Sequence, residues 1–254
     1  MRMNFVDMLS YRADLFLFIT SGAIGPVVMI LIWLAVYASG GNPTISQAEM
    51  VQYYVFLLVI ELWNSAWASS FIATEIRTGK MTMYLVKPMS VYWYRVFEST
   101  SSKVFKSAYL IPIVLLLIFL LKVSIPTLSL GMLALFIFSW VFSAAITLTL
   151  DFILGISAFW IDDNGSLQAF YDLLYFIFSG RLIPLFLLST QIQNLAGILP
   201  FRYMLSFPLE VLLGKITQEG LLVGIISQIL WLITIVVIAQ LLWRKGVRKY
   251  AAYG

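Results

Sequence analysis

Polar residues in this chain do not alternate with apolar ones. They punctuate long apolar runs, which fall near 15–38, 51–73, 104–121, 128–159, 169–188 and 220–243. A helix rises 1.5 Å per residue, so about 20 apolar residues cross the hydrocarbon layer of a bilayer. Each run therefore predicts a transmembrane helix. The third is short, at 18 residues. The fourth, at 32 residues, must tilt or continue beyond the bilayer. The first is too long for a signal-peptide core and follows a charged lead (Arg2, Asp7, Arg12, Asp14), so it is read as retained. The pattern predicts an all-α integral membrane protein, with one membrane domain over 1–254 and six transmembrane helices.

The segments between the runs differ in kind. Residues 39–50 (SGGNPTISQAEM) are polar and turn-rich. Residues 189–219 are apolar but broken at Pro200, Pro208 and Gly214. That predicts one or two short helices dipping into the outer leaflet, with their non-helical backbone buried in protein. Residues 75–90 (EIRTGKMTMYLVKPMS) mix charge and grease: Ile76, Met83 and Tyr84 recur at roughly helical spacing, Glu75, Arg77 and Lys80 lie elsewhere, and Pro88 ends the pattern. Two readings of this stretch stay open. One is a basic loop held against anionic headgroups. The other is a short amphipathic helix docking into a groove on another protein.

Composition agrees with the pattern. Of 254 residues 61% are apolar and 11% charged, against about 25% charged in soluble domains. The absence of cysteine and histidine excludes disulfides, Cys/His metal sites and histidine-based catalysis. With an even number of spans both termini share a side. Twelve of the sixteen Lys and Arg residues fall on that side: the N-terminal lead, the 74–106 segment and the tail. The positive-inside bias makes it cytoplasmic, in a cell (plasma or inner) membrane. The net charge of +4 thus reports topology, and no nucleic-acid partner is expected. The pairs Gly79-Lys80 and Gly214-Lys215 lack the flanking residues of a P-loop, so no nucleotide site is encoded.

A few polar residues lie within the runs. Glu61 is near the middle of the second and Arg181 is inside the fifth. By depth they can pair, either as structural glue or as the lining of a pathway. Asp151 and Asp172 lie nearer the inner ends and are read as structural. Trp63, Asn64, Ser65, Trp67, Ser69 and Ser70 cluster in the second run, where small and polar residues favour close helix packing.

Three local sequences carry a resemblance. ATEIRTGKMTMYLVKPMSVYWY follows the second run, SGRLIPLFLL lies in the fifth, and LPFRYMLSFPLEVLLGKIT precedes the sixth. In this order and topology the chain resembles the permease subunits of ABC-2-type ATP-binding cassette transporters, in particular a branch of paired permeases encoded beside an ATPase. The charged Arg181 departs from that family's Ser-Gly-Pro run. The resemblance implies a permease that dimerises, with itself or with a sister permease, above two ATPase subunits that bind ATP and Mg; this chain itself would hold no cofactor and would not be an enzyme. It implies a coupling helix around Glu75–Leu85, with Glu75, Arg77 and Lys80 as polar contacts, Ile76, Met81, Tyr84 and Leu85 as groove contacts, and Gly79 between them. It implies an N-terminal interfacial helix over 2–14, re-entrant outer helices at a gate marked by Pro200, Phe201, Pro208 and Gly214, and export of a hydrophobic or amphipathic cargo. The competing class is a proton-coupled secondary transporter using Glu61. Against it, the sequence displays no inverted repeat and no pair of broken spans.

Overall fold

The computed structural model describes residues 12–41 and 44–252. It is all-helical among them: α1 (Arg12–Ala38), α2 (Gln47–Asn64), α3 (Ala68–Arg77), α4 (Thr82–Leu85), α5 (Val91–Leu120), α6 (Leu130–Ile156), α7 (Gly165–Phe178), α8 (Thr190–Ile198), α9 (Pro200–Met204), α10 (Ser206–Leu212) and α11 (Gln218–Ala252). Four stretches among the described residues are long and apolar enough to cross a membrane: Gln47–Arg77, Val91–Leu120, Leu130–Phe159 and Gln218–Tyr250. The helix expected over 2–14 lies outside the described residues, apart from Arg12–Asp14 at the start of α1.

Two expectations about the spans change. The second span is not one helix; it is broken at Ser65–Trp67 between α2 and α3. The fifth is helical only to Phe178, after which the backbone is irregular until a 3-10 turn at Leu185–Leu187. The first break, Ser65-Ala66-Trp67, carries no proline or glycine, whereas the second carries Gly180, Arg181 and Pro184.

The break in the second span is capped from both sides. A broken helix leaves orphan carbonyls at one end and orphan N–H groups at the other. Lys103, buried although charged, donates from Nζ to the Trp63 carbonyl at 2.6 Å, placing a cation at the C-terminus of α2. The Asp151 carboxylate accepts from the Ser69 backbone N–H at 3.0 Å, placing an anion at the N-terminus of α3. Both charges complement the helix dipoles, and together they make non-helical backbone tolerable inside the bundle.

The connecting segments sort to two ends. At one end Lys215 pairs with Glu49, and Gln52 Nε2 donates to the Ser124 carbonyl at 2.8 Å. At the other, Arg77 donates to Asn164 Oδ1, and the Tyr250 hydroxyl donates to the Gly79 carbonyl at 2.9 Å. The turns after α1, α5 and α10 thus share one end. Those after α3 and α6, together with the end of α11, share the end that carries the basic 77–95 segment.

Residues 189–219, expected to form one or two short helices, form three, α8 to α10. Met204 and Leu205, at the hairpin between α9 and α10, are fully buried. The Met204 carbonyl accepts from the side chains of Asn64 and Ser143, and the Tyr203 carbonyl accepts from Gln228 Nε2 at 3.0 Å. Asn64 closes α2, about 25 Å along the helix from Gln47 at 1.5 Å per residue. The hairpin therefore reaches deep between α2, α6 and α11, and then returns to the Glu49–Lys215 end. Gly224 makes room for it: a Cβ there would stand 1.9 Å from the Phe207 ring.

Candidate functional site

Two places in this fold gather chemistry. The first is the basic end. Helix α3 stops at Arg77, and the chain reverses at Gly79, whose φ of +77° lies in the left-handed region that favours glycine. The turn then enters the four-residue α4. Three ties brace it. Arg95 of α5 pairs with Glu75 and, at 2.6 Å, with Glu98. The Tyr250 hydroxyl bonds to the Gly79 carbonyl and lies 3.1 Å from the Thr82 hydroxyl. Met81 is fully buried among residues such as Ile72, Ile76, Phe152 and Phe159. Tyr84 lies half-buried, with the Arg95 guanidinium and the Lys87 ammonium each 5.3 Å from its ring centre, close enough for cation–π attraction.

The outer surface of this turn is apolar in a way bracing does not require. Met83 is 62% exposed, Val86 77% and Met89 47%. Lys80 and Lys87 flank them, also exposed.

The second place is a cavity of about 600 Å³ beside the break in the second span. Its walls come from α2, the Ser65–Trp67 break, α3, α5, α6 and α7, and Arg181 closes it. The Arg181 guanidinium pairs with Glu61 Oε1 at 2.7 Å, while Glu61 Oε2 is buried without a hydrogen-bond partner. Asp172 accepts from Gln168 Nε2 at 3.1 Å. Tyr171 and Tyr175 stack one helical turn apart, with centroids 6.3 Å apart and planes 13° apart.

A family model described as ABC-2 family transporter protein matches residues 23–254. The chain belongs to the ABC-2 transporter family. No curated protein and no solved structure matches it. ABC-2 permeases are the transmembrane component of their transporters and work with ATPase subunits, so this is a multi-pass membrane protein of a transport system.

Within this ABC-2 chain the residues anticipated from sequence separate into groups. Glu61 and Arg181 meet, as their depth allowed. Glu75 and Arg77 are engaged inside the chain, by Arg95 and Asn164. Ile76 and Met81 are turned into the core, and Tyr84 and Leu85 pack partly against it. Of the anticipated contacts Arg77, Gly79 and Lys80 stay exposed. Pro200, Phe201 and Pro208 are buried in the re-entrant hairpin, and Gly214 turns the chain back out of it. Asp151 and Asp172 both line the cavity, and Asp151 also caps α3. Arg95, Lys103, Asn164 and Tyr250 were not singled out from sequence. Arg95 and Lys103 registered there only as topology-setting charge, and their partners lie 20 and 40 residues away.

Proposed function

We propose that this chain is the permease subunit of an ATP-driven exporter of hydrophobic or amphipathic molecules. Two permeases, identical or sister chains, would sit in the cell membrane over two separate ATPase subunits that bind ATP and Mg, with both termini cytoplasmic. ATP hydrolysis would belong to those partners.

The braced turn at the basic end carries this reading. Exposed Met83, Val86 and Met89 between Lys80 and Lys87 offer an apolar anchor with a polar rim, the composition a docking surface needs. Glu75–Arg95, Tyr250–Gly79 and the Met81 plug tie the turn to α3, α5 and α11. A push on the turn would then move three helices rather than fold the turn over. The groove contacts fall to Met83, Val86 and Met89, because Ile76 and Met81 already serve the interior. The outer hairpin α9–α10 would close the opposite end.

The test is co-purification with the cognate ATPase, followed by hydrolysis and transport assays in vesicles. Val86→Asp is expected to release the ATPase while the permease still inserts and folds. The breaks in the second and fifth spans beside Glu61 favour a second reading, the proton-coupled secondary transporter. Transport that persists without any ATPase and collapses with the proton gradient would establish that alternative.

A further inference from the structure

The cavity beside the Ser65–Trp67 break is built for something the fold does not supply. Its volume lies in the range of small-molecule sites. Three carboxylates line it (Glu61, Asp151 and Asp172) against two cationic side chains, Lys106 and Arg181. Asp151 is committed to the N-terminus of α3. Glu61 keeps one oxygen buried and unpartnered, and so does Gln168, whose Oε1 has no hydrogen bond. Both residues present acceptors, and a buried acceptor left unmade costs free energy until a donor arrives. The stacked Tyr171 and Tyr175 rings lie along the same helix as Gln168 and Asp172, and π-faces attract cations.

Helix α7, which carries four of these groups, has no buried residue. Its Tyr171, Leu174, Tyr175 and Phe178 are partly buried against the core, and it forms one wall of the cavity. Arg181 hangs on the irregular backbone just beyond it, and is the only cation among the described residues that forms an ion pair with Glu61.

We propose that this cavity binds an amphipathic organic cation, whose N–H-bearing ammonium or amidinium head replaces Arg181 at Glu61 while its flat apolar body lies against Tyr171 and Tyr175. Arg181 is then a tethered stand-in for the ligand's charge and compensates Glu61 when the site is empty. A ligand with no cation cannot release it, and an anion meets Glu61 and Asp172. This assignment rests on the transporter reading and names the class of cargo within it.

The experiment measures binding of 9-aminoacridine, a flat aromatic cation at neutral pH with N–H donors, to the purified transporter in nanodiscs, with anthracene-9-carboxylate as a probe of similar shape and opposite charge. The expected result is saturable binding of the cation alone. Glu61→Gln should weaken it about tenfold or more, the loss of one charge-assisted contact. Asp172→Asn, at an exposed position that leaves folding intact, should weaken it several-fold. Arg181→Gln should tighten it, because the internal competitor is gone. Equal binding of both probes, or cation affinity indifferent to Asp172→Asn, overturns the assignment. If Arg181→Gln weakens binding as much as Glu61→Gln, the pair is a structural strut and head exchange is wrong. ATPase co-purification is scored on the same preparations, so failure of the transporter reading registers separately.

Discussion

At the residue scale, the charges inside this protein are matched to specific backbone or side-chain needs. Lys103 and Asp151 replace the hydrogen bonds that a break in a helix removes, and Arg95 holds the base of the basic turn against α5. Arg95 and Glu75 have 6% and 15% of their side-chain surface exposed, and Arg95 keeps a second partner in Glu98, so it is truncation of Arg95 that strands Glu75. Arg95→Ala is expected to destabilise the protein by about 3–5 kcal/mol, whereas replacing both Arg95 and Glu75 with apolar residues of similar volume should recover much of that loss. Thermal melts of the two variants in detergent decide it. Met81→Ala should cost about 2–5 kcal/mol in the same assay, the range for emptying a core position, because Met81 is a plug rather than an exposed anchor.

At the scale of elements, the outer hairpin depends on a slot. A leucine at position 224 would collide with Phe207, so Gly224→Leu should unseat α9–α10, and trypsin should then cut after Arg202 where the parent chain resists. Element type was largely legible from the apolar runs: α2, α5, α6 and α11 fall within or around the predicted spans. The division of 189–219 into short helices was legible from Pro200, Pro208 and Gly214, which interrupt an otherwise membrane-like stretch. The break in the second span was not: Ser65, Ala66 and Trp67 carry no proline or glycine, and the groups that make it tolerable, Lys103 and Asp151, come from other helices. The break in the fifth had a signal in Gly180 and Pro184. The basic turn was half legible. Its position and its mixture of charge and grease could be read, but which apolar residues face inward could not. Met81 and Met83 are two residues apart on a tight turn whose direction is set by Gly79 and held by Tyr250. The S-x-x-E pattern at Ser46–Glu49, realised as a capping box, was a readable signal for the start of α2.

At the scale of the whole molecule, the sorting of turns to two ends fixes which surfaces share a side, and the proposed orientation puts the basic end in the cytoplasm. The chain contains no cysteine, so introduced thiols report sidedness without background. Lys87→Cys should react with an impermeant maleimide only from the cytoplasmic side of inverted vesicles, and Thr127→Cys only from the opposite side. Reaction of both from one side would refute the proposed topology. The hairpin α9–α10 adds a temporal consequence. It leaves the ribosome before α11, yet Gln228, Gly224 and the ion pair between Lys215 and Glu49 are part of what seats it. Biogenesis must therefore hold this segment in an unfinished state, its carbonyls at Tyr203 and Met204 incompletely bonded, until the final helix has been released into the bilayer. Maturation would end at the outer face with the docking of an internal segment, and a chain stalled before residue 218 would carry an open wedge there for quality-control proteases to find.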